Sequence, residues 1–230
     1  YGGYFRLVPE ALDQPARRAF AALEAADSIV IDPHKHGLQP YGCGCVLFRD
    51  PSVGQFYKHD SPYTYFTSKE LHLGEISLEC SRAGAAAVAL WATHQLLPLS
   101  VGGDFARGLA RGRSAALELD RRLRQSADFQ SLLGGPPELD IVAWKIVANS
   151  VAESSRLARK TFVSSATRHL HLALVQLPQY WFGLARGDRR EIPDQYLTCL
   201  RSVLMKPEHE EWLDSIWDKL AASCAEAREM

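Results

Sequence analysis

The stretch Asp27-Ser28-Ile29-Val30-Ile31-Asp32-Pro33-His34-Lys35 runs from a β-branched segment straight into a proline turn that presents a lysine. Pro33 cannot continue a strand ladder and biases Asp32 away from helix, so the turn starts sharply and sets where Lys35 points. A lysine delivered to the end of a buried strand can be desolvated, and a neutral amine there is a nucleophile toward a carbonyl. Most lysines are solvated surface residues, so this geometry alone does not single out Lys35.

Other groupings are weaker. Asp32, His34 and His36 alternate through a proline turn and offer no second ligand pair, and Cys43-Gly44-Cys45 lacks the two-residue gap of a zinc knuckle, so no metal site is predicted. His169 and His171 share one face of a predicted strand with Ala173 and read as polar-face or interface residues, not ligands. The basic cluster from Arg156 to Lys160 reads as a solvated helix face.

The elements that must position these residues follow from pattern. Ala19, Phe20, Leu23 and Ala26 share a helical face over 15–26, with Pro15 suited to a first turn. A short strand is predicted at Ser28–Ile31, buried by its composition, and a second at 43–48 after a turn rich in Gly and Pro. Helix, strand, loop, strand is the rhythm of a layered α/β domain. Residues 55–74 carry aromatics and hydroxyls without a period and read as a long loop, of a length that in compact domains is functional or disordered. Residues 83–97 are apolar nearly all round and predict a buried helix, while 104–127 predicts a long helix with Arg and Glu outside.

Gly134-Gly135-Pro136-Pro137 punctuates the chain and places a domain boundary there, giving units 1–134 and 135–230. The second reads as strand 139–147, helix 152–167, strands 169–177 and 196–205, and a helix from Glu208 whose Trp212, Leu213, Ile216, Trp217, Leu220 and Cys224 recur at helical spacing.

Asp32-Pro33-His34-Lys35, followed by Pro40-Tyr41-Gly42 and a strand ending Val46-Leu47-Phe48-Arg49-Asp50, closely resembles the lysine signature of the group II pyridoxal-phosphate-dependent decarboxylases. The resemblance continues in order through Ser61-Pro62-Tyr63-Thr64, Ser81-Arg82-Ala83-Gly84-Ala85, Pro137-Glu138-Leu139-Asp140-Ile141-Val142 and Leu200-Arg201-Ser202-Val203-Leu204. It implies an α/β chain of the pyridoxal-phosphate-dependent transferase fold type I: part of the large cofactor-binding domain with a connecting helix, then a small α+β C-terminal domain. It implies decarboxylation of an aromatic or acidic L-amino acid to the amine and carbon dioxide, pyridoxal 5'-phosphate as cofactor, and a homodimer.

The same resemblance assigns roles. Lys35 would form the internal aldimine, with the ring as electron sink. His34 matches the family histidine at the cofactor phosphate and active site, where an imidazole can donate to an anion. Tyr63 matches the tyrosine of the family's mobile loop, whose phenol protonates the carbanion; Tyr65 is an alternative equivalent. Arg201 matches the small-domain arginine that orients the substrate α-carboxylate, a task suited to its planar fork, and strand alternation puts it on the face opposite Leu200. Arg82 lies in a shared motif, divided between a structural and a substrate contact. Asp32 is expected to cap local backbone donors, since a carboxylate would repel a phosphate.

Composition fits an enzyme. The 230 residues hold 26 basic and 27 acidic side chains, a formal charge of −1, with 47% hydrophobic residues, which excludes disordered and low-complexity classes. No block of like charge marks nucleic acid or an anionic membrane as partner, and the longest apolar run, 83–92, is about half a bilayer span. The five cysteines have no framework spacing and read as reduced thiols, which suits a cytoplasmic enzyme.

Tyr1-Gly2-Gly3 supplies only the tail of the family's Asp-Ala-Ala-Tyr-Gly-Gly motif, so the aspartate that pairs with the pyridinium nitrogen is expected upstream. The chain is therefore expected to be the C-terminal part of a decarboxylase with little or no activity alone. Two alternatives stand beside this reading: a carbon–carbon lyase of the sphingosine-phosphate lyase type, and a non-catalytic remnant of the fold.

Overall fold

In the computed structural model, which describes residues 1–58, 84–182 and 196–229, short 3-10 turns at Gly2–Leu7 and Pro9–Ala11 lead into helix α1, Gln14–Ala21. Asp13 caps α1 by accepting from the Ala16 N–H at 2.7 Å, and Pro15 sits in the first turn, where its missing N–H costs nothing. The chain tightens into a 3-10 turn over Ala22–Ala25 and enters strand β1, Ser28–Ile31, which pairs antiparallel with β2, Cys45–Phe48. Arg49, just past β2, donates to the carbonyls of Glu24 and Ala26 and so ties the hairpin base to the end of the preceding turn.

By its contacts the chain divides into two units, Tyr1–Ala106 and Arg107–Met230. This division lies well before the Gly134–Pro137 punctuation. That segment is held by the second unit's own long helix: Arg124 donates to the carbonyls of Leu133 and Gly135, both at 2.8 Å, and Arg113 to that of Glu138 at 3.0 Å.

Two burial expectations fail in the first unit. β1 and β2 are largely exposed, with Val30 at 70%, because among the described residues they form a two-stranded ribbon with no covering layer. Helix α2, Ala85–Leu96, has no buried residue, and Val88 and Trp91 are each 64% exposed. All-round apolar composition states what a helix needs, not what the chain supplies. Thr93 of this helix accepts at its Oγ1 from Gln39 at 2.8 Å.

The second unit holds most of α3, Asp104–Gln125, and an antiparallel sheet of β3 (Phe129–Ser131), β4 (Ile141–Ile146), β5 (Ala173–Pro178) and β6 (Tyr196–Val203) in the order β3-β4-β6-β5. Helices α4, Val151–Thr167, and α5, His209–Glu229, complete it. Ser150 caps α4 by accepting from the Glu153 N–H, while the Glu153 carboxylate accepts from Asn149 N–H, a reciprocal pair at the helix start. The core is Leu119, Leu123, Trp144, Ile146, Leu157, Leu200 and Leu220, each at most 1% exposed. Gly112 lets α3 approach the end of β6, since a Cβ there would meet the Leu204 carbonyl oxygen at 2.5 Å.

Some boundaries differ from pattern. The strand predicted at 169–177 begins only at Ala173, because His169 sits in the left-handed region (φ 57°) and closes α4, with its N–H on the Ala166 carbonyl and that of Leu170 on Ser165. His169 and His171 therefore share no strand face. Arg156 and Arg159 of the basic cluster are exposed, as a solvated face requires, and Arg159 also donates to Thr198 Oγ1 at 2.8 Å. β3 was not anticipated, being only three residues long. Among the described residues no helix is long and apolar enough to cross a membrane.

Candidate functional site

The turn after β1 is built to fix its own shape. Pro33 follows Asp32, the Lys35 N–H donates to the Asp32 carbonyl at 3.0 Å, and the Gln39 N–H donates to the Pro33 carbonyl at 3.1 Å. Gly37 packs so tightly that a Cβ would lie 2.7 Å from both the Pro33 backbone and the Tyr4 hydroxyl. Leu38 takes a positive φ of 60° to turn the chain back, and Gly42 does the same at 92°. Burial pushes the Tyr4 phenol above its ordinary value, with Cys43 and Cys45 adding to the shift.

His36 is the anchor. It is 4% exposed, its Nδ1 lies 3.1 Å from the Tyr1 carbonyl oxygen, and its ring stands edge-on to Tyr1 at 4.5 Å and Phe5 at 5.3 Å. A carbonyl can only accept, so Nδ1 carries the proton. With His36 turned inward, its neighbours His34 and Lys35 are left partly open.

His34 Nδ1 faces the Cys43 carbonyl oxygen at 3.3 Å, and its ring lies 5.2 Å from that of the exposed Tyr41. By the same logic Nδ1 donates and Nε2 is the free end: an acceptor when the ring is neutral, a donor to an anion when it is charged. Lys35 Nζ lies 2.5 Å from Asp32 Oδ2, with 37% of the lysine and 29% of the aspartate side chain exposed, and 5.8 Å from the Tyr1 ring centroid. The hydrogen bond from Lys35 holds the Asp32 carboxyl below its ordinary range. This corrects the expectation for Asp32: its carboxylate binds the lysine ammonium and not a backbone donor. The i,i+3 spacing of Asp32 and Lys35 across a proline turn was the available signal for this pair.

Arg201 lies on β6 in the second unit, opposite Ala143 of β4 and Ala173 of β5. Its neighbour Leu200 is fully buried against Trp144 and Leu174 positions, while Arg201 is exposed. Among the described residues its guanidinium makes no ion pair, and the residues beside it on β4 and β5 are alanines. Tyr63, together with Tyr65 and Arg82, lies outside the described residues. The turn thus brings Lys35, His34 and Asp32 together, and Arg201 is placed within its own unit. The arrangement on the turn offers an amine for a carbonyl, an imidazole for an anion, and a carboxylate on the amine.

No protein-family model matches the chain. It is 37% identical over 116 residues to an L-tyrosine decarboxylase of Enterococcus faecium, covering 50% of this chain and 18% of that protein. Among solved structures it is similar to a Lactobacillus brevis glutamate decarboxylase, with a TM-score of 0.70 at 15% identity over 100% of this chain and 46% of that one. It is also similar to Oryza sativa TDC with PLP and tryptamine, with a TM-score of 0.65 at 15% identity over 93% of this chain and 39% of that one. The chain spans less than a fifth of the first relative's length and less than half of these structures.

Proposed function

We propose that this protein decarboxylates an aromatic or acidic L-amino acid to the amine and carbon dioxide, a reading supported by its similarity to an L-tyrosine decarboxylase and by the likeness of its fold to solved decarboxylases. The observation that carries the proposal is the turn after β1, where a partly exposed Lys35 amine stands next to His34 on a backbone locked by Pro33, Gly37 and His36. An amine can condense with an aldehyde and a charged imidazole can donate to a phosphate, so these two residues suit pyridoxal 5'-phosphate. Bound there, the cofactor supplies a conjugated ring that takes up the electron pair left when carbon dioxide departs.

The chain's own residues take the remaining tasks. Lys35 would hold the cofactor through its Nζ, and His34 Nε2, with Nδ1 engaged at Cys43, would donate to the phosphate when the ring is charged. Arg201 offers a bidentate fork to the substrate α-carboxylate, supported by its exposure and its alanine neighbours. Tyr63 is the proposed proton donor to the carbon that loses carbon dioxide. We place the protein as a homodimer in the cytoplasm; the exposed Val88 and Trp91 of α2 support a further protein surface against the first unit.

The test is to incubate the protein with pyridoxal 5'-phosphate, reduce with borohydride and locate the added mass by peptide mapping. Label at Lys35 that vanishes in Lys35→Ala is expected. Label spread over surface lysines, unchanged in Lys35→Ala, overturns the assignment.

A further inference from the structure

We propose that Asp32 is a positioning residue that acts as a latch on Lys35: it holds the side chain folded back on its own turn as an ammonium, and the amine meets a carbonyl only when this ion pair opens. The inference rests on the reading of Lys35 given above and adds a residue that the resemblance left out of the cofactor site.

The pair is imposed by the turn and is not a chance surface contact. Asp32 and Lys35 flank Pro33 and His34 in a turn closed by the Lys35 N–H on the Asp32 carbonyl, and the same residue's side chain reaches the same aspartate at 2.5 Å. The backbone has little freedom to separate them. Pro33 has a set φ, Gly37 is packed against the Pro33 backbone, and His36 is buried on the far side. Among the described residues no other hydrogen-bond donor reaches the Asp32 carboxylate, so Lys35 is its partner on this turn.

The chemistry gives the pair a consequence. Only the neutral amine has a lone pair to attack a carbonyl carbon, so the ammonium must leave Asp32 and give one proton to water. Nζ then bonds to the carbon, and the carbonyl oxygen departs as water with the remaining amine protons, leaving an imine. At 2.5 Å from the carboxylate, Nζ is engaged on its own turn, so the latch slows this step until the ion pair opens.

Two carboxylate effects must be separated, because Asp32 would also repel a phosphate. The experiment follows borohydride-trapped label at Lys35 over time with two aldehydes, pyridoxal and pyridoxal 5'-phosphate, in the unaltered protein, Asp32→Asn and Asp32→Glu. Loss of one partly exposed ion pair predicts that Asp32→Asn labels about two- to fivefold faster with both aldehydes. Asp32→Glu keeps the charge and the slow rate. Added salt accelerates the unaltered protein but not Asp32→Asn, a response that a purely structural role would not produce.

Equal rates with pyridoxal in Asp32→Asn and the unaltered protein overturn the latch. Acceleration confined to pyridoxal 5'-phosphate also overturns it, in favour of simple repulsion of the phosphate. Absence of label at Lys35 in every form overturns the latch together with the assignment of Lys35, whereas label at unchanged rates removes the latch alone.

Discussion

The two units of this chain solve opposite problems. The second closes a four-stranded sheet under α3, α4 and α5 and buries Trp144, Ile146, Leu157 and Leu200 almost completely. The first buries Phe5, Val8 and Leu12 but leaves Val30, Val88 and Trp91 largely exposed, and packs closely the turn that carries Lys35. Stability is thus concentrated where a core is complete, and geometric constraint where chemistry is proposed. Local hydrogen bonds and a close glycine contact can hold a short turn without a core beneath it.

The sharpest way to break this contrast is a matched pair of tryptophan truncations. Trp144→Ala removes a fully buried ring and should lower stability by about 3–5 kcal/mol, read from the urea midpoint. Trp91→Ala, on the exposed α2 face, should cost less than about 0.5 kcal/mol. Similar losses from both would mean that the first unit has a core of its own.

Gly37→Ala probes the constraint directly. Its Cβ would stand 2.7 Å from the Pro33 backbone, so the turn must shift, at about 1–3 kcal/mol, and borohydride-trapped label at Lys35 should fall while the second unit's melting is unchanged. Normal labelling would show that the turn tolerates movement.

His169→Gly should act in the other direction. The left-handed conformation strains a side chain that glycine lacks, so stability of the second unit should rise by up to about 1 kcal/mol in thermal melts. A fall would show that the His169 side chain contributes more than its backbone costs.

The smallest effect is electrostatic. Arg121 and Arg122 lower the Glu118 carboxyl from 4.5 to about 2. A carboxylate whose folded value is depressed contributes stability above its unfolded value and loses it as pH falls through the folded one. Melting temperatures should therefore drop between about pH 4.5 and 2 partly through Glu118, and Glu118→Gln should flatten that part of the profile. An unchanged slope would remove this pair from the acid response.

Periodicity located the helices well because each is long: Asp104–Gln125, Val151–Thr167 and His209–Glu229 follow their apolar spacing to within a few residues. The strand at Ser28–Ile31 and the lysine turn were equally legible, since proline and β-branched residues act locally. Burial was not. β1, β2 and α2 carry the composition of covered elements, and composition cannot say whether a covering layer is packed against them. The Asp32–Lys35 contact escaped for a related reason: a carboxylate at a turn has several local donors within reach, and only the folded backbone selects one.

The amino-acid sequence by itself determined which groups this protein brings to bear: an amine after a proline break, an adjacent imidazole, a guanidinium on a strand, and the order of helices and strands around them. These depend on residue type and on spacing along a few residues. The tertiary structure alone decided that His36 turns inward while His34 and Lys35 stay open, and that two alanines stand beside Arg201. Those choices are made by packing between residues distant in the chain, such as His36 against Tyr1 and Phe5, and no local pattern encodes them.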